Sequence, residues 1–237
     1  VPKGVVHMLI GEGDRLGYPL LRDDRLAGVA FTGSTVTARR IQRALAERQG
    51  PLARLIAETG GQNAMIVDGT ALPEQVVRDA LYGAFVSAGQ RCSALRLLCI
   101  PNESALMIER LLAGALAEWV VGDPADPATD SGPLINAQAA ARIRSHVEVL
   151  EASSLRLGRA PLAQDLPDTF VAPVAYRIED LDILLEEHFG PVLHVLRYDP
   201  ADLDDLIEDI NRLGYGLTLS IQSRNQSRSE ERRVGKE

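Results

Sequence analysis

28-GVAFTGSTVTARRIQRALAE-47 is the stretch that decides how this chain is read. An apolar run opens at Gly28 and ends in a Gly33-Ser34 turn. Apolar residues then recur at Val36, Ile41 and Leu45 through a charged background, the spacing of one helix face over about 35–48. A strand that ends in a glycine turn and feeds a helix is the unit of a parallel sheet, because parallel neighbours need a crossover that returns the chain to the same end.

The unit recurs in both directions. Upstream, VVHMLI (5–10) reads as a buried strand and GEGDRLG (11–17) as a glycine-bearing loop. Downstream come an apolar run at 52–57, a Gly60-Gly61 turn and the strand 63-NAMIVD-68. A helix opens at Leu72-Pro73 and runs to about Ser87. The strand 95–100 and a helix over 103–120 follow. The Pro-, Asp- and Gly-rich stretch 122–134 is loop. The rest predicts helices over 136–152 and 202–212, with strands at 170–178, 192–198 and 216–222. The fold class is α/β.

With 237 residues, 46% hydrophobic and 24% charged, the chain has the composition of a globular protein. The net charge of −8 argues against binding along a nucleic-acid backbone. Two cysteines, Cys92 and Cys99, make neither a disulfide framework nor a zinc spacing, so no metal is expected. A reducing cytoplasm is the expected compartment. No apolar run approaches the roughly 20 residues of a membrane span. The start, VPKGVVHMLI, has no initiator Met and no signal-peptide pattern, and reads as the interior of a domain. Residues 225–237, ending in RSEERRVGKE, read as a non-native-looking tail similar to a translated sequencing adapter.

Three segments could carry chemistry. In 31-FTGS-34, the unpaired amides of a helix start can hold a phosphate, with Gly33 allowing close approach and Ser34 adding a hydroxyl; an N-capped turn is the plainer reading of this segment alone. Gly11, Gly13 and Gly17 miss the dinucleotide fingerprint by one residue. In 58-ETGGQN-63, Glu58 is either an exposed loop carboxylate or a base made movable by Gly60 and Gly61. In 88-AGQRCSALR-96, Cys92 lies where a helix has ended and a strand has not begun. A thiol there is accessible and can act as a nucleophile, whereas Cys99, within LLCI, belongs to the core. Of the histidines, only His188, in 186-EEHFGP-191, stands at a turn; paired with Cys92 it would make a cysteine hydrolase or acyltransferase.

Taken in order, FTGS, ETGG, GQxC and ExFGP resemble the aldehyde dehydrogenase superfamily, with 34 residues from Glu58 to Cys92, similar to the family's interval. The runs 57–77 and 88–101 look like the dehydrogenase module of the bifunctional proline-utilization branch. That resemblance implies a partial Rossmann-type NAD-binding domain over 1–59 and a truncated α/β catalytic domain over 60–224. It implies Cys92 as nucleophile and Glu58 as the base that activates water. It places Thr32, Gly33 and Ser34 along NAD, Glu187 at the nicotinamide ribose, Phe189 near the nicotinamide, and Ser93 at the substrate carboxylate. The implied substrate is the small aldehyde L-glutamate γ-semialdehyde, with succinate semialdehyde or another aldehyde as the alternative. The implied partners are a flavin-dependent proline dehydrogenase module and further copies of the chain. The family's oxyanion-binding Asn and adenosine-side Lys would precede Val1, and its glycine-rich C-terminal region would fall from Gln226 onward, so the expectation is a chain weakly active or inactive by itself.

Overall fold

The computed structural model describes residues 2–225, so the expected tail lies, from Gln226, outside the described residues. The chain divides into two compact units, Val1–Gly60 and Gly61 onward.

The first unit pairs β1 (Gly28–Thr32) with β2 (Arg54–Glu58) in parallel. α1 (Gly13–Leu21) precedes β1 and α2 (Thr35–Ala46) connects the two strands. Ser34 N-caps α2, its Oγ accepting from the Thr37 amide at 3.2 Å. Two expectations fail here. Residues 5–10 are exposed and form no strand, and the glycine-bearing segment after them becomes α1. An apolar run becomes a strand only where a neighbour's amides and carbonyls meet it, and the sheet of this unit has two strands. Val36 is 62% exposed, while Ala38, Ile41, Ala44 and Leu45 form the buried face of α2.

The second unit is built on a six-stranded sheet. Its strands are β3 (Asn63–Val67), β4 (Leu95–Pro101), β5 (Leu155–Arg159), β6 (Val174–Ile178), β7 (Val192–Tyr198) and β8 (Leu219–Gln222), in the order β5-β6-β7-β4-β3-β8. Every pair is parallel except β5–β6. β3 and β4 are buried along their whole length, as strands covered on both faces must be, and they read as unbroken apolar runs for that reason. One core packs α3 (Pro73–Phe85) and α4 (Ala105–Ala117) on the sheet through Phe85, Leu98, Ile108 and Leu112. The other packs α5 (Ala137–Ser153) and α6 (Leu203–Arg212) through Leu97, Ile143, Leu150 and Tyr176. β5 is an element the sequence does not announce: LRLGR carries two arginines and a glycine and has the composition of an edge. Gly158 lets β5 approach α4 closely, since a Cβ would stand 3.0 Å from the Ala113 Cα.

No helix among the described residues is long and apolar enough to cross a membrane.

Candidate active site

In the first unit, two of the sequence motifs meet at one sheet end. β1 and β2 run in register so that Thr32 stands opposite Glu58. The Gly33 amide then donates to the Glu58 carbonyl at 3.0 Å. Both motifs therefore leave the carboxyl ends of parallel strands, the side on which open α/β sheets bind ligands. The Ser34 hydroxyl is engaged within the helix, accepting from the Thr37 amide and donating to Thr37 Oγ1 at 3.0 Å. What the helix start offers an anion is thus its own first amides, at Thr35 and Val36, which have no carbonyl in a preceding turn to receive them. A Cβ at Gly33 would stand 2.5 Å from the tip of the Phe31 ring, so a larger residue there would displace that ring. Beside it a groove of about 880 Å³ runs between α1, β1 and α2, with Tyr18, Leu21, Val29, Phe31 and Ile41 in its wall. An apolar groove next to free helix-start amides fits a dinucleotide, which joins a flat base to phosphates.

In the second unit, α3 ends in a short 3₁₀ turn, Val86–Gly89, followed by the Cys92 loop. Ser87 (φ 59°), Ala88 (φ 51°) and Gly89 (φ 66°) are all left-handed. For the two residues that carry a Cβ this costs on the order of 1–3 kcal/mol each, and it persists only where the surroundings over-determine it. Three buried or half-buried side chains do so here. Asn63 donates to the carbonyls of Cys92 (2.7 Å) and Ala94 (2.8 Å). Gln90 donates to the carbonyls of Ser87 (3.1 Å) and Pro133 (3.2 Å) and accepts from the Ile135 amide (2.8 Å). Arg96 Nη2 donates to the carbonyls of Gly89 (2.7 Å) and Arg91 (3.3 Å). With its neighbours' carbonyls fixed, Cys92 is left exposed on a rigid loop, while Cys99 is buried in β4 and burial pushes its thiol far up. Ser93 lines a cavity of about 270 Å³ with Asn63, Asp79, Tyr82, Thr218 and Ser220.

The 187–191 segment closes on the same network. Gln62 donates to the carbonyls of Leu184 and Glu186, both at 2.7 Å. Arg96 Nη1 donates to the Gly190 carbonyl at 3.1 Å, and its guanidinium lies 5.5 Å from the Phe189 ring centroid. Glu187 Oε1 is 3.8 Å from Arg96 Nη2 and is buried without a hydrogen-bond partner. Burial raises the Glu187 pKa, opposed by Arg96 and by the Gly61 amide. A buried carboxylate oxygen with spare acceptor capacity suits a hydroxyl donor such as a ribose diol. The candidate residues thus fall into two groups, Thr32–Ser34 with Glu58, and Cys92–Ser93 with Glu187 and Phe189, one in each unit. Sequence reasoning missed Gln62, Asn63, Gln90 and Arg96. Their only signal was a polar residue beside a glycine or inside an apolar run.

His188 does not stand as a free base beside the thiol. Its ring stacks on His146 at 3.8 Å between centroids, and burial lowers its pKa. His146 Nε2 lies 2.9 Å from His194 Nε2, and His194 Nδ1 lies 2.9 Å from the Arg96 carbonyl. Because that carbonyl can only accept, Nδ1 carries the His194 proton, and His146 must donate to His194 Nε2. Among the described residues no group of three His, Cys, Asp or Glu is placed to hold a metal ion.

Residues 1–234 match the profile of the aldehyde dehydrogenase family. The chain belongs to that family. It is 48% identical over 233 residues to bifunctional protein PutA of Escherichia coli K12, covering 94% of this chain and 18% of that protein. It superposes on a crystal structure of Bradyrhizobium japonicum proline utilization A with a TM-score of 0.92 at 44% identity, covering 98% of this chain and 23% of the other. A 1-pyrroline-5-carboxylate dehydrogenase from Thermus, solved with bound NAD, gives a TM-score of 0.90 at 29% identity, covering 98% and 45%. This aldehyde dehydrogenase chain spans less than a quarter of the length of the two PutA proteins.

Proposed function

We propose that the chain carries the chemical centre of an NAD-dependent dehydrogenase that oxidises L-glutamate γ-semialdehyde, the open form of 1-pyrroline-5-carboxylate, to L-glutamate in proline catabolism. The observation that carries the reading is an exposed cysteine on a strained loop whose carbonyls are held by Asn63, Gln90 and Arg96. Identity to PutA and likeness to 1-pyrroline-5-carboxylate dehydrogenase support the substrate.

In this reading the Cys92 thiolate attacks the aldehyde carbon, forming a C–S bond and a thiohemiacetal oxyanion. Gly33 and the α2 amides, with Thr32 and Ser34, and Glu187 and Phe189 would hold NAD, which when bound would accept the hydride that leaves that carbon. Cys92 is then acylated as a thioester. Glu58 takes a proton from water, the hydroxide adds to the thioester carbon, and the C–S bond breaks to release the acid and restore the thiolate. Ser93 donates to the substrate carboxylate. The residue types follow from the steps: sulfur attacks well and leaves well, and a carboxylate beside two glycines can approach and withdraw. The same reading assigns supply of the aldehyde to a flavin-dependent proline dehydrogenase module, places the protein in the cytoplasm, and includes self-association of the complete enzyme.

Because the chain is expected to be weakly active or inactive by itself, turnover of glutamate semialdehyde, succinate semialdehyde and propanal with NAD by the full-length natural form tests the substrate. Glutamate semialdehyde is expected to give the highest kcat/KM. Glu58→Gln should accumulate a Cys92 acyl adduct visible by mass spectrometry, and Cys92→Ser should lower kcat by at least about a thousandfold. An adduct on another residue, or undiminished oxidation by Cys92→Ser, would end the proposal.

A further inference from the structure

A buried guanidinium is a costly thing to place in a core. Arg96 belongs to β4, an inner strand of the sheet, and is 1% exposed. A charge there is costly unless most of its donors are met. Arg96 Nε is buried without a hydrogen-bond partner, and the carbonyls that receive Nη1 and Nη2 lie in two loops. Gly89 and Arg91 are in the Cys92 loop. Gly190 is in the segment that also supplies the Glu187 carboxylate and the Phe189 ring beside the guanidinium. The two loops also meet backbone to backbone, since a Cβ at Gly89 would stand 2.1 Å from the Gly190 oxygen. Arg96 is itself held from behind, its carbonyl accepting from His194 of β7.

We propose that Arg96 is a positioning residue: a single planar guanidinium spans the Cys92 loop and the Glu187–Phe189 loop and sets the nucleophile and the ribose-binding carboxylate in register. This rests on the reading of Cys92 and Glu187 given above. A guanidinium suits the task because its fork sends donors in several fixed directions, whereas an ammonium is a compact point charge. Burial lowers its pKa to about 10, which still leaves it charged at neutral pH. Arg96 touches no reacting atom in this account and acts through the two loops.

The test uses Arg96→Lys and Arg96→Met in the full chain, with the same substitutions in the longest natural form that turns over aldehyde. Thermal melts and circular dichroism establish folding, and if Arg96→Met does not fold, Arg96→Lys decides. The first readout is the rate of Cys92 alkylation by iodoacetamide, which needs no cofactor and is specific because Cys99 is buried. The second is the split between kcat and the KM for NAD. In folded Arg96→Lys the alkylation rate should change at least fivefold, kcat should fall at least tenfold, and the KM for NAD should rise at least fivefold. General destabilisation would lower the active fraction and hence kcat alone. A folded variant alkylated within twofold of the wild-type rate, with an unchanged KM for NAD, overturns the proposal. If alkylation responds to Arg96 while even the wild-type enzyme oxidises no aldehyde, the functional reading fails and the positioning of Cys92 by Arg96 stands.

Discussion

Gln62 and Asn63 are neighbours in sequence that hold two different loops. Gln62 reaches the carbonyls of Leu184 and Glu186, and Asn63 reaches those of Cys92 and Ala94 while accepting from the Thr218 amide. Successive side chains along extended backbone point to opposite sides, so adjacent positions serve opposite partners. Asn63→Ala would leave three polar backbone groups without this partner. The expected loss is about 2–4 kcal/mol, measured by urea unfolding, with faster alkylation of Cys92 as its loop loosens. That Cys92 is exposed was legible because a thiol among small polar residues breaks the pattern of a buried cysteine. The role of Asn63 was not, because a polar residue where a strand leaves a glycine turn is ordinary until the partners it meets are known.

At the scale of elements, the turn from α3 into the Cys92 loop depends on a residue without a Cβ. Gly89 has φ 66° and touches Gly190. Gly89→Ala should destabilise by at least about 3 kcal/mol, through the strained backbone and through the clash with a carbonyl that cannot move alone. Differential scanning calorimetry checks this. α2 offers a milder case. Ser34 caps it, so Ser34→Ala should cost about 1 kcal/mol and speed amide exchange in α2 about fivefold, while leaving β4 protected. The elements were legible where one period dominated. α2 and the buried β4 read directly from apolar spacing, and Pro73 marks the start of α3. β5 was hidden because an edge strand of five residues needs no apolar run, and residues 5–10 were misread because an apolar run alone does not supply a pairing partner.

At the scale of the whole molecule, three histidines from α5, β7 and the 187–191 segment close one cluster next to Arg96. Burial, with its neighbours' charges, lowers the pKa of His146 to about 3 and of His194 to about 4 from an ordinary 6.5. The unfolded chain therefore binds protons that the folded chain refuses. The stability these neutral rings contribute is complete above about pH 6.5. It falls as pH drops toward 4, with a slope of up to about 1.4 kcal/mol per pH unit for each histidine. Urea midpoints at pH 7.5, 6.0 and 5.0 should decline in that order, and the slope should diminish in His194→Gln. The Tyr176 hydroxyl and Arg156 lower the Glu151 pKa, away from this window, whereas burial raises that of Glu187, which opposes the histidines' trend.

Local chemistry was enough for the α/β class and for the order FTGS, ETGG, GQxC, ExFGP, because strand and helix periods, turn glycines and an out-of-place thiol are properties of neighbours along the chain. What only the tertiary structure decided was which of those segments hold one another. Thr32 faces Glu58 because β1 and β2 pair in parallel, and the Cys92 loop is tied to Glu187 because Arg96, read from sequence as one more residue of a buried strand, turns its guanidinium toward both. Partners 94 residues apart, as Arg96 and Gly190 are, leave no local trace, since the hydrogen bonds that join them exist only once the sheet has set its strand order.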